Sequence, residues 1–153
     1  MTRPLARAGH LARRFFGALS DAPPRAVDDA WAVGFLTASE ADLWWGLQHQ
    51  DRRHSVEVAH RFVALVDHPS RDAVAAALLH DIGKQCSRLG TAARVVATLV
   101  GPRTERFRRY HDHERLGVDL LRNAGSSSVT IALLDGTSKD AATADALRAA
   151  DDV

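Results

Sequence analysis

Histidine and aspartate side chains at four places far apart in the chain have the chemistry of a metal centre. They are His54, the adjacent pair His80-Asp81, His113 and the adjacent pair Asp151-Asp152. Imidazole and carboxylate groups together bind divalent Mn, Fe, Co, Ni or Zn, and such an ion can activate water at neutral pH. The chain has one cysteine, Cys86, so a structural zinc site of several thiolates is not expected.

Two predicted helices would bring three of these side chains together. The first spans about residues 51–66 and has an apolar stripe, with His54 one turn before it on the inner face. The second spans about 73–79, is apolar almost all round, and ends in His80-Asp81 just before Gly83, which gives the backbone freedom for a helix end. An antiparallel pair of these helices would place His54 beside His80 and Asp81.

Helical signals also dominate the rest of the chain. Further helices are predicted over about 27–33, 38–47, 91–100, 113–121 and from about 141 to Asp151. Thr37 and Glu40 have the spacing of a capping box. A strand signature occurs at most at Val129-Thr130-Ile131. The chain is therefore predicted to be one all-α domain, 1–153, in which N-terminal helices within 1–50 pack on a metal-site core formed by 51–153.

Composition and charge argue against several classes of protein. Twenty basic and nineteen acidic residues leave a formal charge of +1, which gives no general electrostatic basis for binding nucleic acid. No stretch approaches the roughly 18 consecutive apolar residues that a membrane span needs. A single cysteine cannot form an internal disulfide. We therefore expect a cytoplasmic protein without membrane or specific nucleic-acid binding, and a homodimer stays open.

The first 19 residues mix arginines with apolar side chains. Such a segment could form a targeting or membrane-surface helix. However, Leu11, Phe15 and Leu19 recur at four-residue spacing, which favours a helix that packs on its own domain.

Each candidate ligand also has an ordinary interpretation. A buried histidine is more often a hydrogen-bonded core residue than a ligand, so His54 alone is weak support for a metal. The pair His80-Asp81 is more informative, because a charged carboxylate at the end of an apolar helix is costly without a partner. A helix cap or loop contact is the alternative role for Asp81.

Segments 51–55, 77–84 and 147–151, which read DRRHS, ALLHDIGK and LRAAD, resemble the metal-dependent HD phosphohydrolases. The resemblance implies an all-α bundle of the HD-domain type that holds one divalent ion, either Mn, Fe, Co, Ni, Zn or Mg. The implied ligands are His54, His80, Asp81 and Asp151. It further implies that a metal-bound water, oriented by Asp81, attacks the phosphorus of a small phosphoester, with nucleotides as the first candidates. A shift in helix register would favour Asp152 over Asp151.

Basic residues near these ligands are further candidates, the first of them from the resemblance and the others from their charge and position. Lys84 completes the pattern His-Asp-Ile-Gly-Lys, where it is a catalytic candidate that would hold a substrate phosphate or pair with Asp81. Arg52 and Arg53 could line a phosphate pocket, and the basic run at 103–109 could contact an anionic substrate. A solvated side chain is the alternative for each of them.

Relatives that hold two ions carry additional histidines, one of them commonly in a His-x-x-x-Gly setting. His113 and Gly117 match this setting, but the companion histidine expected further on is missing, and residues 135–138 read DGTS there. We therefore expect one tightly held ion. His113, His111 and Arg53 are the candidates for a second site or for phosphate binding.

Three functions are compatible with these residues. The first is a metal-dependent phosphohydrolase. The second is a catalytically inactive HD domain that binds a nucleotide or a protein, for which the missing histidine and the small size speak. The third is another metal-water reaction on the same scaffold, such as hydration or deamination, because a fold does not determine the chemistry.

Overall fold

The computed structural model describes residues 20–87, 93, 99, 101, 105, 108 and 112–152. All regular secondary structure within these residues is helical, which confirms the all-α prediction. The elements are α1 (Ala26–Val33), α2 (Ala38–Trp45), α3 (His49–Leu65), α4 (Arg71–Leu79), a 3-10 helix (Ile82–Ser87), α5 (His113–Asn123), α6 (Ser128–Asp135) and α7 (Ala141–Asp151). The candidate strand Val129-Thr130-Ile131 lies in α6. The helix predicted at the N-terminus lies outside the described residues, and the one at 91–100 lies mostly outside them.

Helix α4 is the buried centre of these elements. All seven residues from Ala73 to Leu79 are buried, as expected of a helix that is apolar almost all round. Its N-terminus is capped by Ser70, whose hydroxyl oxygen accepts a hydrogen bond of 3.2 Å from the amide of Ala73. Helices α3 and α6 pack on α4, and α1 and α7 pack on α3. The chain therefore leaves the end of α4 inside the bundle, where Asp81 and Ile82 are both buried.

Helix α3 buries a narrower stripe than its sequence suggests. Val58, Ala59 and Phe62 are fully buried and contribute to the core. Leu65, three residues after Phe62 on the same apolar face, is 58% exposed, because α3 ends at this residue and the chain turns away toward α4.

A capping box starts α2, as the spacing of Thr37 and Glu40 predicts. The Thr37 hydroxyl oxygen accepts from the Glu40 amide at 3.2 Å, and the Glu40 carboxylate accepts from the Thr37 amide at 2.8 Å. Glu40 is completely buried, and the Arg71 guanidinium lies 3.5 Å from its carboxylate. The cap therefore also ties the start of α2 to the start of α4.

A buried polar cluster joins the first three helices. The Asp29 carboxylate of α1 accepts hydrogen bonds from the Trp44 indole at 3.2 Å and from the Arg52 guanidinium at 3.1 Å. The same guanidinium lies 4.9 Å from the ring centre of Trp45, within cation–π range. Arg52 is therefore committed to the packing of α1 and α2 on α3, and the interpretation of this residue as part of a phosphate pocket is wrong.

Among the residues described, no helix combines the length and the apolar composition needed to cross a lipid bilayer.

Replacing Asp29 with alanine should destabilise the protein by about 3 kcal/mol, because it leaves the Arg52 guanidinium buried without its partner. The free energy of unfolding in urea measures this effect. Asp28→Ala is the matched control, since Asp28 pairs with the exposed Arg25 on the same helix, and a change below about 1 kcal/mol is expected there. Equal losses in the two variants would contradict the structural role of the Asp29–Arg52 pair.

Candidate metal centre

Four helix ends meet beside the end of α4. His54 lies near the start of α3, and His80 caps the C-terminal end of α4 with Asp81 directly after it. Asp151 is the last residue of α7, and His113 is the first residue of α5. The antiparallel packing of α3 and α4 therefore places His54 beside the His80-Asp81 pair, as the sequence suggested.

The donor atoms of His54, His80 and Asp81 are close enough together to bind one ion, and Asp151 lies beside both histidines. His54 Nε2 is 3.2 Å and His80 Nε2 is 3.4 Å from Asp151 Oδ1. Asp81 Oδ2 lies 3.4 Å from His80 Nε2 and 4.0 Å from His54 Nε2. Neighbouring ligands in a shell with bonds of about 2.1 Å are about 3.0–3.4 Å apart. Among the described residues, His54, His80 and Asp81 form a group whose ligand atoms all lie within 4.8 Å.

The orientation of His80 supports this interpretation. Its Nδ1 lies 2.9 Å from the carbonyl oxygen of Ala77, to which it can only donate, so the neutral ring carries its lone pair on Nε2. That Nε2 is buried and has no hydrogen-bond partner among the described residues. A backbone carbonyl that holds the far nitrogen of a histidine is the usual arrangement around a metal-binding imidazole.

Asp81 is the most enclosed of these residues and has contacts on both oxygens. Oδ2 faces His80 and His54 and also accepts a hydrogen bond from the Lys84 ammonium. Oδ1 lies 3.5 Å from Nε2 of His113. Burial by itself raises the pKa of the Asp81 carboxyl, but His80 and Lys84 outweigh it and hold the pKa well below the usual range. Asp81 is therefore ionised at neutral pH.

The carboxylates of Asp81 and Asp151 change the pKa of His80. Burial favours the neutral ring, yet Asp81 and Asp151 together raise the pKa of His80 to about 10. The hydrogen bond with His54 and the nearby ring of His80 lower the pKa of Asp151. In protein without a metal the His80 proton balances part of the carboxylate charge. A divalent ion would take over that role, because histidine must lose its proton from Nε2 to bind through it.

Asp151, and not Asp152, comes within reach of the two histidines. Asp151 is the final residue of α7, whereas Asp152 caps the helix and is exposed. The Asp151 side chain is 44% exposed and that of His80 only 10% exposed. The cluster is therefore buried at the end of α4 and partly exposed at the end of α7.

Of the four further candidates, two lie close to the cluster, the third has contacts with the segment before α1, and the fourth lies outside the described residues. Lys84 and His113 both contact Asp81. The Arg53 guanidinium donates to the carbonyl oxygens of Ser20 and Ala22. His111 lies outside the described residues, as does most of the basic run at 103–109.

Sequence reasoning missed why two glycines are needed here. A Cβ atom on Gly83 would lie 1.7 Å from the carbonyl oxygen of His113 and 2.7 Å from the amide nitrogen of Gly117. A Cβ atom on Gly117 would lie 3.1 Å from the amide nitrogen of Gly83. Gly83 lies inside the 3-10 helix and does not end a helix, although the sequence had suggested that it would. Its missing side chain instead lets the start of α5 come close to the 3-10 helix. The contact brings the start of α5, and with it His113, against Asp81.

The comparisons with known proteins gave one match. The protein-family model described as HD domain matches residues 52–149, more than half of the chain. The match contains His54, His80, Asp81 and His113 and ends two residues before Asp151. No curated protein and no solved structure matches the chain.

Gly83→Ala should lower the free energy of unfolding by about 1–3 kcal/mol, because the new methyl group overlaps the backbone of α5. Urea unfolding measures the loss. Gly34→Ala is the control, since Gly34 has ordinary helical backbone angles and a Cβ there meets nothing nearer than 3.2 Å. A Gly83→Ala protein as stable as the control would show that the two segments are not in close contact.

The stability of chelator-treated protein should fall as the pH rises from 6.5 toward 10. The pKa of His80 is raised from 6.5 to about 10 in the folded chain, so its contribution is complete below 6.5 and is lost as His80 deprotonates. The lowered pKa values of Asp81 and Asp151 give the opposite dependence below 3.8, where acid removes their contribution. Stability is therefore greatest between these limits.

Urea unfolding between pH 7 and 9 tests this dependence, with an expected loss of about 1 kcal/mol per pH unit. His80→Gln should remove the slope, whereas His68→Asn, a change at an exposed histidine, should keep it. The same slope in wild type and His80→Gln would refute the assignment to His80.

Proposed function

We propose a function from the family to which the chain belongs, the HD domain superfamily of metal-dependent phosphohydrolases. The proposed reaction is the hydrolysis of a small phosphoester, with nucleotides as the first candidates. The proposal also includes one divalent ion held by His54, His80, Asp81 and Asp151. The observation that carries it is the convergence of His54, His80 and Asp81, whose ligand atoms lie within 4.8 Å of one another. Asp151 Oδ1 lies 3.2 Å and 3.4 Å from the two histidines and is proposed as the fourth ligand. The family match supports the class of reaction, and the geometry supports the ligands.

The donor set fits a divalent ion of the borderline class. Two imidazoles and two carboxylates suit Mn, Fe, Co, Ni or Zn, and no thiolate belongs to the cluster. Such an ion would polarise a phosphoryl oxygen and lower the pKa of water toward neutrality. The fit is supported by the buried Nε2 of His80, which faces the carboxylates at 3.4 Å without a hydrogen bond among the described residues.

Asp81 is the residue best placed to orient an attacking water. Its Oδ2 faces the two histidines, while its Oδ1 points to the other side, toward His113. A carboxylate that stays ionised can accept a hydrogen bond from water on this second side. We assign Asp81 both roles, ligand through Oδ2 and water acceptor through Oδ1.

Hydrogen-bond donors around Asp81 could receive the phosphate. The side chains of Lys84 and His113 are 21% and 23% exposed, so both can face a molecule that enters the cluster. A phosphoryl group gains from such donors because its charge increases on attack. We assign Lys84 and His113 to phosphate binding. We assign one ion to the centre because residues 135–138 read DGTS where the companion histidine of two-ion relatives is expected.

The extent of the domain is part of the proposal. The Asp29–Arg52 pair and the Trp44 hydrogen bond join α1 and α2 to α3 through buried contacts. These contacts support one domain in which the helices before residue 51 complete the core that carries the metal ligands. The family model begins at residue 52, close to that division.

Elemental analysis of protein purified without chelators tests the metal site. We expect about one divalent ion per chain in wild type and none in the His80→Ala/Asp81→Ala double variant. The matched control is Asp67→Ala/His68→Asn, which changes an adjacent Asp-His pair that is almost completely exposed and should keep the ion. Two ions per chain would contradict the single-ion assignment. No ion, even after incubation with Mn, Co, Ni and Zn, would contradict the metal centre.

A panel of nucleoside phosphates, sugar phosphates and p-nitrophenyl phosphate, followed by release of phosphate, tests the reaction. Hydrolysis should occur in wild type and the exposed-pair control and fall to background in the double variant. A loaded metal without hydrolysis of any phosphoester would reject the enzyme and favour the binding domain. Turnover of a nitrile or an amine in place of a phosphoester would favour the hydration or deamination alternative.

A further inference from the structure

The proposed ion and the Lys84 ammonium would bind the same oxygen atom of Asp81. Asp81 Oδ2 lies 3.4 Å from Nε2 of His80 and 4.0 Å from Nε2 of His54, which makes it the oxygen on the ligand side of the carboxylate. The Lys84 ammonium donates its hydrogen bond to this same Oδ2. Oδ1, on the other side, faces His113. The ammonium and the ligand side of the centre therefore share one atom.

Local backbone structure makes this sharing unavoidable. Residues 82–87 form a 3-10 helix, and the Lys84 amide donates to the Asp81 carbonyl oxygen at 2.9 Å. With three residues per turn, side chains three positions apart lie on the same side. Lys84 is thus directed to the Asp81 carboxylate by the turn itself, before any other contact is considered.

We propose that Lys84 limits the affinity of the centre for its ion and couples ion binding to phosphate binding. The ammonium competes with the ion for Asp81 Oδ2, and an ion at this oxygen turns the ammonium toward a phosphate. The competition requires only the metal centre. The phosphate step additionally rests on the proposed function.

Charge and burial both favour competition. Asp81 is 5% exposed, and charges in such an enclosed place are screened less than charges at the surface. A divalent ion and an ammonium at one carboxylate oxygen therefore repel each other. Lys84 can yield, because its side chain is 21% exposed and its four-carbon stem is flexible.

Other fixed cations near the centre have different partners. The Arg52 guanidinium pairs with Asp29, and the Arg53 guanidinium donates to Ser20 and Ala22. Within the part of the chain that the structure describes, Lys84 is the lysine or arginine that forms an ion pair with a proposed ligand. Its displacement would therefore place a cation beside the ion where a phosphate oxygen can reach it.

Coupling between ion and phosphate is reciprocal. If an ion frees the ammonium for phosphate, then phosphate, by holding the ammonium, must raise the affinity for the ion by the same factor. A lysine that only anchors Asp81 predicts the opposite: removing it would disorder a ligand and weaken ion binding. The sign of the change in ion affinity separates the two roles.

Calorimetric titration of chelator-treated protein with Mn²⁺ and with Zn²⁺ tests the competition. We expect Lys84→Met, which keeps the stem and removes the charge, to bind the ion about tenfold more tightly than wild type. Lys84→Arg should stay near wild type. Lys139→Met is the matched control, because Lys139 is the other lysine of the sequence and is exposed, and it should leave the affinity unchanged. Circular dichroism verifies that every variant is folded.

Unchanged or weaker ion binding in a folded Lys84→Met protein would overturn the competition. Absence of ion binding in wild type would instead contradict the proposed function, so the two failures are distinguishable.

The same titration in the presence of inorganic phosphate tests the coupling. Phosphate should tighten ion binding in wild type, and the factor should be at least about fivefold smaller in Lys84→Met. Lys139→Met should show the wild-type factor. If phosphate increased the ion affinity equally in wild type and Lys84→Met, the coupling would be overturned, because the effect of phosphate would then not depend on Lys84.

Discussion

A carboxylate buried at the end of an apolar helix is the constraint from which the architecture of this protein follows. Asp81 is 5% exposed, and an isolated ionised carboxylate in such a place is strongly disfavoured. His80 and Lys84 hold its pKa low, and His113 lies against its second oxygen. These partners come from two separate parts of the chain. The position of Asp81 therefore requires that several helix ends meet at one point.

The packing of the helices meets this requirement with few special residues. Residues 73–79 of α4 are all apolar and all buried, so α4 is central and the residues after it emerge inside the bundle. Gly83 lets α5 approach the 3-10 helix so closely that a methyl group at this position would overlap the backbone of α5. The burial of α4 and the absence of a side chain at Gly83 therefore bring His113 close to Asp81.

The parts of this structure that sequence could predict are those governed by local rules. The capping box at Thr37, the central helix before His80 and the helical class all follow from spacing and periodicity. Contacts between residues far apart in the chain could not be predicted, because a single sequence does not show which distant residues pair. Arg52 resembled a solvated or phosphate-binding residue until Asp29, 23 positions earlier, proved to be its partner. Gly83 resembled a helix stop, although its neighbour is α5, about 30 residues away.

The proposed centre also links the stability of the chain to its function. His54 and Asp151 are 97 positions apart and meet at 3.2 Å, so an ion held by both would connect the start of α3 with the end of α7. Binding that occurs only in the folded chain stabilises it by mass action. Asp151 is the most exposed of the four proposed ligands and lies at the end of its helix, where helices fray. An ion bound by Asp151 would order the C-terminal end of α7, and this ordered end would in turn supply a ligand to the ion. Ion binding and the local folding of α7 would therefore be coupled.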